Sequence, residues 1–326
     1  MELRTRIDIG KSNEKISHSD PVLFIGSCFA SETGSRLASG KMPVLINPAG
    51  TVYNPVSVIN TLNLIISGKQ LRKEDLYCHE GTWLSFSHYT DFSSEDPVKV
   101  IDKINRNSDN AHSFLQKARF LFVTFGTARV FRLKETGTIV SNCHKLPSSF
   151  FVRELLKTQD IVNQWSTQLE LLATKFPKLK VIFTISPIRH WKDGAHGNQV
   201  SKSVLFLAVE ELLGHSSSPG YFPAYEILMD ELRDYRFYDE DMLHPSKVAV
   251  DYIWEKFMDC YFEEPTVRTW KEASKITRAM RHRVTSENAG SIKKFAENML
   301  SRIHTMEATT GIDFTNEKNY FQSLIK

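Results

Sequence analysis

Three short runs of almost unbroken apolar, β-branched and aromatic residues punctuate the chain: PVLFIGSC (21–28), ARFLFVTFGT (118–127) and LKVIFTISP (179–187). Each ends in small or turn-forming residues, the pattern of a strand buried on both faces of a parallel sheet. Between and after them apolar residues recur at three- and four-residue spacing over 55–68, 97–118, 149–176 and 201–214, which predicts amphipathic helices. HPSKVAVDYIWEKFMDCYF (244–262) predicts a closing helix with Pro245 at its first position. Strands alternating with helices imply an open α/β sheet with helices on both faces, in which ligands bind beyond the carboxyl ends of the strands. That rule directs attention to Ser27, to Gly126 and Thr127, and to Ser186 through His190. LYCHEGTWLSFSHYTDF (76–92) predicts a hairpin around Gly81, with Trp83, His88 and Tyr89 suited to a substrate wall. Beyond Glu264 the composition turns charged and helical, so two domains are expected, 1–263 and a helical extension over 264–326. Its basic residues Arg278, Arg281, Arg283, Lys293 and Lys294 read as a solvated helical face.

Composition narrows the function classes. The chain has 326 residues, 41% hydrophobic, with 41 basic against 38 acidic residues and a formal charge of +3. So balanced a charge gives no reason to expect nucleic acid as a partner. No apolar run approaches the ~18 residues of a membrane span, and the N-terminus lacks the apolar core of a signal peptide, so no membrane association is expected. Cys28, Cys78, Cys143 and Cys260 are widely separated without a CxxC pair, which points to a reducing, cytoplasmic setting. His79, His88, His144, His190 and His196 include no pair with metal-type spacing beside a carboxylate, so neither a metal nor another cofactor is expected.

The chemistry concentrates at two places. A serine hydroxyl at a strand-to-helix turn stands above the sheet edge, near main-chain N–H groups, but as a nucleophile it needs a base. Ser27 has that position; capping of the following helix is the competing role. Far downstream, RDYRFYDEDMLHPSK (233–247) contains Asp241 and His244 as D-x-x-H, held out of helical geometry by Pro245. A carboxylate there can orient the imidazole, leaving its other nitrogen to deprotonate Ser27. Cys28 would be a stronger nucleophile at a helix N-terminus, but it is expected to pack beneath Ser27 as a small buried residue.

With GSCFA at 26–30, NPAGTVYNP (47–55), FGTARVF (125–131), NCHK (142–145), SPIRH (186–190), KDG (192–194), SKS (201–203), YFPAYEI (221–227) and LRDYRFYDEDMLHPS (232–246), the chain resembles the GSCFA family, grouped with the SGNH (GDSL-like) hydrolases. The resemblance implies a three-layer α/β/α sandwich, a flavodoxin-like SGNH hydrolase fold with a central parallel sheet. It also implies Ser27 as nucleophile, His244 as base and Asp241 as its orienter. Oxyanion donors implied by the superfamily are the Ser27 N–H, a glycine N–H for which Gly50 is the candidate, and an asparagine side chain. The last has no counterpart after Phe125, where the chain reads Gly126-Thr127-Ala128-Arg129; Thr127 or Asn142 replaces it, or the hole has two donors. Tyr53, Asn54, Trp83, His88, His144, Arg189 and His190 are the candidate substrate-binding residues.

The expected function is a serine esterase cleaving acyl esters, O-acetyl above all, on a carbohydrate. Its partner is then a small-molecule or glycan ester, with aromatic residues such as Trp191 stacking on sugar faces. An acyltransferase with the same triad is the first alternative; a glycan-binding module without catalysis, motivated by the missing asparagine, is the second.

Overall fold

The computed structural model describes residues 5–281 and 289–325. In chain order the elements are β1 (Val22–Gly26), α1 (Cys28–Ser39), β2 (Val44–Ile46), α2 (Pro55–Ser67), β3 (Tyr77–His79), β4 (Thr82–Leu84), α3 (Pro97–Leu115), β5 (Phe120–Phe125), β6 (Arg129–Leu133), β7 (Ile139–Val140), β8 (Phe151–Leu155), α4 (Thr158–Lys175), β9 (Lys180–Ile185), α5 (Gly194–Leu213), β10 (Gly220–Tyr221), a single turn α6 (Ala224–Glu226), α7 (Lys247–Tyr261), α8 (Glu264–Arg281), α9 (Ala289–Thr310) and α10 (Thr315–Ser323). Contacts divide them into two compact units. One takes in the chain up to Gly10, Pro21–Gly34 and Val44–Phe257; the other takes Lys11–Asp20, Ser35–Pro43 and the chain from Met258 on.

In the first unit a parallel sheet of five strands runs in the order β2-β1-β5-β9-β10. The three apolar runs of the sequence are its centre, in register as Leu23–Leu121–Val181 and Phe24–Phe122–Ile182. Alternation sends Leu23, Ile25, Leu121, Val123, Phe125 and Phe183 to one face, where Leu62 of α2, Trp165 of α4 and Leu205 of α5 close the core. Phe24 and Phe122 stack on the opposite face at 4.9 Å, covered by Phe257 of α7 and by α1 at Gly34. Helices therefore flank both faces. The chain leaves β1 for β2 on one side and returns to β5 on the other, so strand order reverses beside β1. In open α/β sheets that reversal opens a crevice.

Two smaller sheets complete this unit: an antiparallel hairpin β3–β4, and β7-β6-β8. The hairpin turns at Glu80 and Gly81, both at positive φ, the geometry of a two-residue hairpin turn. The helix expected over 149–176 starts only at Thr158, because FVREL pairs residue by residue with β6, Leu133 opposite Phe151 to Arg129 opposite Leu155. Period-two alternation, Phe151 buried and Val152 exposed, outweighs the helical spacing there. The closing helix begins at Lys247 and not at 244, since Pro245 bridges Tyr238 and Ser246 N–H donates to Phe237 O.

The second unit has its own core, with Ile276, Met299, Ile303, Phe314 and Phe321 at its centre. Trp270 Nε1 donates to Arg36 O at 2.7 Å, and Lys41 pairs with Glu317 at 2.8 Å, so segment 35–43 belongs to it along with the helices. Arg278, Lys293 and Lys294 are exposed; Arg283 and the Arg281 side chain lie outside the described residues. Among the described residues no helix is long and apolar enough to cross a membrane.

Candidate functional site

At the strand-order reversal, beyond the carboxyl ends of β1, β5 and β9, lies a cleft of about 450 Å³. The β1–α1 turn supplies Ser27 and Cys28, the start of α2 Tyr53 and Asn54, the β7–β8 connection Ser141–Cys143, and the segment after β9 Ser186 and Ile188–Lys192; His244 completes the wall.

Gly26 has φ of +148°, and a Cβ there would lie 2.2 Å from Thr124 O, so glycine alone permits this end to β1. Ser27 follows in the N-cap position of α1, where a hydroxyl ordinarily accepts from an early helical N–H. It caps nothing. Ser27 Oγ is buried without a hydrogen-bond partner among the described residues, an arrangement that costs about 1–3 kcal/mol and asks for another use. Cys28, expected beneath Ser27, lines the same cleft half-buried, its Sγ 3.8 Å from the Tyr53 hydroxyl. Helical geometry beginning at Cys28 abolishes the strand alternation that would have turned it away. Burial, reinforced by the Cys28 neighbour, pushes the Tyr53 phenol far above its ordinary range.

On the facing loop Asp241 folds back on its own chain. Oδ1 accepts from the N–H groups of Leu243 (2.9 Å) and His244 (2.8 Å), and Oδ2 lies 2.5 Å from His244 Nδ1. The His244 N–H above all, then the imidazole and the Leu243 N–H, hold the Asp241 carboxyl down to about 2. Asp241 is thus an anion throughout the neutral range, tied to Nδ1, and His244 Nε2 is the nitrogen left for chemistry. Both side chains are about half exposed.

The candidate oxyanion donors fare differently. Ser27 N–H donates to Thr124 O at 3.2 Å, extending the β1–β5 ladder. Gly50 N–H donates to Asn47 O at 2.7 Å; its φ of +85° and its approach to Tyr89 make it a turn glycine outside the cleft. The Gly126 and Thr127 amides both donate to Tyr53 O, at 2.7 and 3.0 Å, and Thr127 Oγ1 is engaged by Ser201 Oγ and Arg129 N–H. Asn142 differs. Its Oδ1 accepts from His144 N–H at 2.7 Å, while its Nδ2 has no partner among the described residues and the side chain lines the cleft.

Of the candidate substrate-binding residues, Tyr53, Asn54, Arg189 and His190 line the cleft. Asn54 is also the N-cap of α2, accepting from Ser57 N–H at 2.9 Å. Trp83, His88 and His144 lie elsewhere. Trp83 packs with Leu71, Phe92 and Val100. His88 is buried against Phe92, its Nδ1 2.8 Å from Ser85 Oγ. His144, at φ +49°, is spent on Ser93 Oγ and Ser85 O at 3.2 and 2.9 Å. Local packing and hydrogen bonds occupy these three rings away from the crevice. Among the described residues no group of His, Cys, Asp and Glu is placed to hold a metal.

A model of the GSCFA family matches residues 21–257, most of the chain and all of the cleft. The chain belongs to the GSCFA family. A second model, GSCFA domain protein, C-terminal domain, matches residues 273–326. No curated protein matches this GSCFA chain. Among solved structures it is similar to one described as "a putative platelet activating factor from Streptococcus pneumonia", with 11% identity over 74% of this chain and 84% of that one and a TM-score of 0.39.

Sequence reasoning missed Lys202 beneath the cleft of this GSCFA chain, and Arg129, Phe131 and Arg153 in its wall. Lys202 of α5 is buried, donating from Nζ to Gly126 O (2.8 Å) and Ser186 O (2.7 Å), and burial lowers its amine to about 7. It ties together the ends of β5 and β9 beneath the site. His190 sits above: a Cβ on Gly126 would lie 2.8 Å from its Nε2, and its N–H donates to Asn198 Oδ1. Burial first, then the Lys202 charge, hold the His190 imidazole down to about 4, so at neutral pH one ring nitrogen donates and one accepts. Arg129, Phe131 and Arg153 reach the cleft from β6 and β8, where strand pairing places Phe131 opposite Arg153.

Proposed function

We propose that this GSCFA chain is a serine esterase of the SGNH type that cleaves acyl esters, O-acetyl groups on carbohydrate foremost. The observation that carries the reading is Ser27: a buried hydroxyl without a partner among the described residues, in one cleft with an imidazole whose far nitrogen is held by a carboxylate. The strand order, equivalent to the 2-1-3-4-5 order of flavodoxin-like sheets with the site at the reversal, is what that superfamily placement calls for.

In this reading His244 Nε2 takes the proton as Ser27 Oγ attacks the ester carbonyl, and Asp241 steadies the imidazolium that forms. The same proton goes to the departing alkoxide, leaving an acyl-Ser27; water then attacks with His244 as base. Asn142 Nδ2, the neutral His190 ring and the first amides of α1, beside the positive end of its dipole, are the donors for the oxyanion. Ser27 and His244 are not hydrogen-bonded to each other here; such catalytic bonds often tighten only when substrate binds. His244 is half exposed, which gives water access to the base and favours hydrolysis over acyl transfer. Trp191 and Tyr53 offer faces to a sugar, and the free thiols suit a cytoplasmic setting.

Incubation with p-nitrophenyl acetate and a fluorophosphonate, using the wild type, Ser27→Ala and Cys28→Ala, tests the proposal. Turnover and a label on Ser27, both lost in Ser27→Ala and retained in Cys28→Ala, are expected. Labelling that persists in Ser27→Ala would move the nucleophile to Cys28, and a wild type without label or turnover would end the esterase reading.

A further inference from the structure

Four cationic side chains, Arg129, Arg153, Arg189 and Lys192, line the cleft that holds Ser27 and His244. Among the described residues one carboxylate lies close enough to pair with any of them. Asp193 takes Arg153 in a two-point contact, 2.8 Å from Nε and 2.5 Å from Nη2, and stands 3.7 Å from Arg129 Nε. Arg189 and Lys192 have no ion pair among the described residues. Among the described residues Arg189 Nη2 meets only Met229 Sδ, at 3.4 Å, and its Nε is buried without a hydrogen-bond partner, as is Arg129 Nε. Lys192 lies over the Phe131 ring at 5.1 Å, a ring that also carries the Arg153 guanidinium at 4.6 Å.

This concentration is local: the whole chain carries a formal charge of only +3. Like charges gathered in a partly apolar cleft repel one another, and buried guanidinium donors left unpaired are costly. Both conditions are relieved by one event, the arrival of an anion. A guanidinium presents a planar fork that suits the oxygens of a carboxylate, sulfate or phosphate, and Lys192 adds a mobile point charge at the rim. Ile188 and Val140 line the cleft with them, leaving room for apolar atoms next to the charge.

We infer that the cleft takes an ester bearing an oxyanion, and that Arg189 and Lys192 are the groups that bind it. The word ester rests on the esterase reading above; the anion preference rests on the cations alone.

Two measurements on the full chain separate these. Hydrolysis of 4-acetoxybenzoate and 4-acetoxybenzenesulfonate is compared with that of the neutral methyl 4-acetoxybenzoate, each rate divided by its rate with hydroxide. Binding of benzoate, benzenesulfonate and phenyl phosphate is compared with that of benzamide by ligand-detected NMR. In the wild type the anionic ester is preferred, and the anionic-to-neutral ratio of kcat/KM falls about 10- to 100-fold in Arg189→Gln/Lys192→Gln. Added salt lowers the same ratio. Lys192 is exposed, so Lys192→Glu provides a variant of low folding risk, and it too lowers the ratio. The rank of carboxylate, sulfonate and phosphate identifies the group. Preferential anion binding that the double variant loses, with no ester hydrolysed, would leave the anion site standing and remove the esterase reading. Equal handling of charged and neutral probes by the wild type, or a ratio unmoved by both variants, overturns the inference.

Discussion

Replacing Lys202 with methionine keeps the length of the side chain and removes its Nζ, and the effect on stability is expected to depend on pH in a calculable way. The amine is buried, with two carbonyl oxygens as its hydrogen-bond partners. Its drop from 10.5 to about 7 corresponds to roughly 5 kcal/mol against the charged form in the folded state. Below pH 7 both folded and unfolded chains carry the proton and the full cost is present. Between 7 and 10.5 the unfolded chain binds more protons than the folded one, so stability of the wild type rises with pH, by up to about 1.4 kcal/mol per unit. Methionine has no proton to bind. It forgoes this rise, and it leaves the Gly126 and Ser186 carbonyls without their donor at about 1–3 kcal/mol each. At pH 6 the two effects nearly cancel and the variant is close to wild type. By pH 9 the wild type has gained roughly 2–3 kcal/mol on it. Urea titrations followed by far-ultraviolet circular dichroism at pH 6, 7, 8 and 9 give the difference directly. A difference that stays constant across that range would refute the reasoning and mean that the two carbonyls hold Lys202 as an ammonium.

Three further outcomes follow from the site. Asp241→Asn should lower kcat toward an ester about 10²- to 10⁴-fold, since the amide cannot stabilise an imidazolium; and because Asp241 sits at about 2, the wild-type pH–rate profile should show no limb from it above pH 4. Asn142→Ala should cost about 10²- to 10³-fold in kcat with little change in KM, the signature of a donor used in the transition state; an unchanged kcat would remove Asn142 from the oxyanion hole. His88 is held down to about 4, by burial first and then by the His144 charge. Its folded value lies below the unfolded 6.5, so it costs stability as pH falls from 6.5 towards 4, by about 3 kcal/mol in all. His88→Phe, which keeps the ring against Phe92, should therefore lose less stability than wild type on acidification from pH 7 to 4.5, as read by thermal unfolding. Parallel acid profiles would contradict that.

Local sequence carried the parts of the fold whose burial is complete on both faces. β1, β5 and β9 are apolar runs broken only by Thr124, Thr184 and the leading Lys180, and no helix or loop competes for that pattern. β2 and β10 escaped because they are two or three residues long and half-buried, strands only by virtue of the neighbour they pair with. β8 was hidden in a stretch whose apolar spacing suits either period. The same division runs through the site. The placement of Ser27, Asp241 and His244 was legible because it depends on each residue's own short segment: a strand end, or a loop that closes on itself through Asp241 Oδ1. Whether the Gly50, Gly126 and Thr127 amides are free was not legible, since their acceptors, Asn47 O and Tyr53 O, are fixed by how loops meet. Lys202 could not be found either, because lysine in a helix ordinarily faces water.

The cleft residues divide by origin in a way that bears on specificity. Ser27 and His190 follow the ends of strands in the parallel sheet, and Lys202 holds two of those ends together; Arg129, Phe131 and Arg153 stand on the antiparallel β6 and β8. Strand pairing fixes Phe131 opposite Arg153, and that pair in turn bears Asp193 and Lys192 through a two-point ion pair and a ring contact. Ser27 and His190 are thus anchored to one sheet, and the Phe131 and Arg153 that hold Lys192 and Asp193 to another, each rigid in itself. Changes on β6 and β8 can then alter which anion is held without disturbing the Gly26 turn or the Asp241 loop. It follows that Phe131→Ala, which removes the ring beneath two cations, should alter the order in which carboxylate, sulfonate and phosphate probes bind, and leave fluorophosphonate labelling of Ser27 intact.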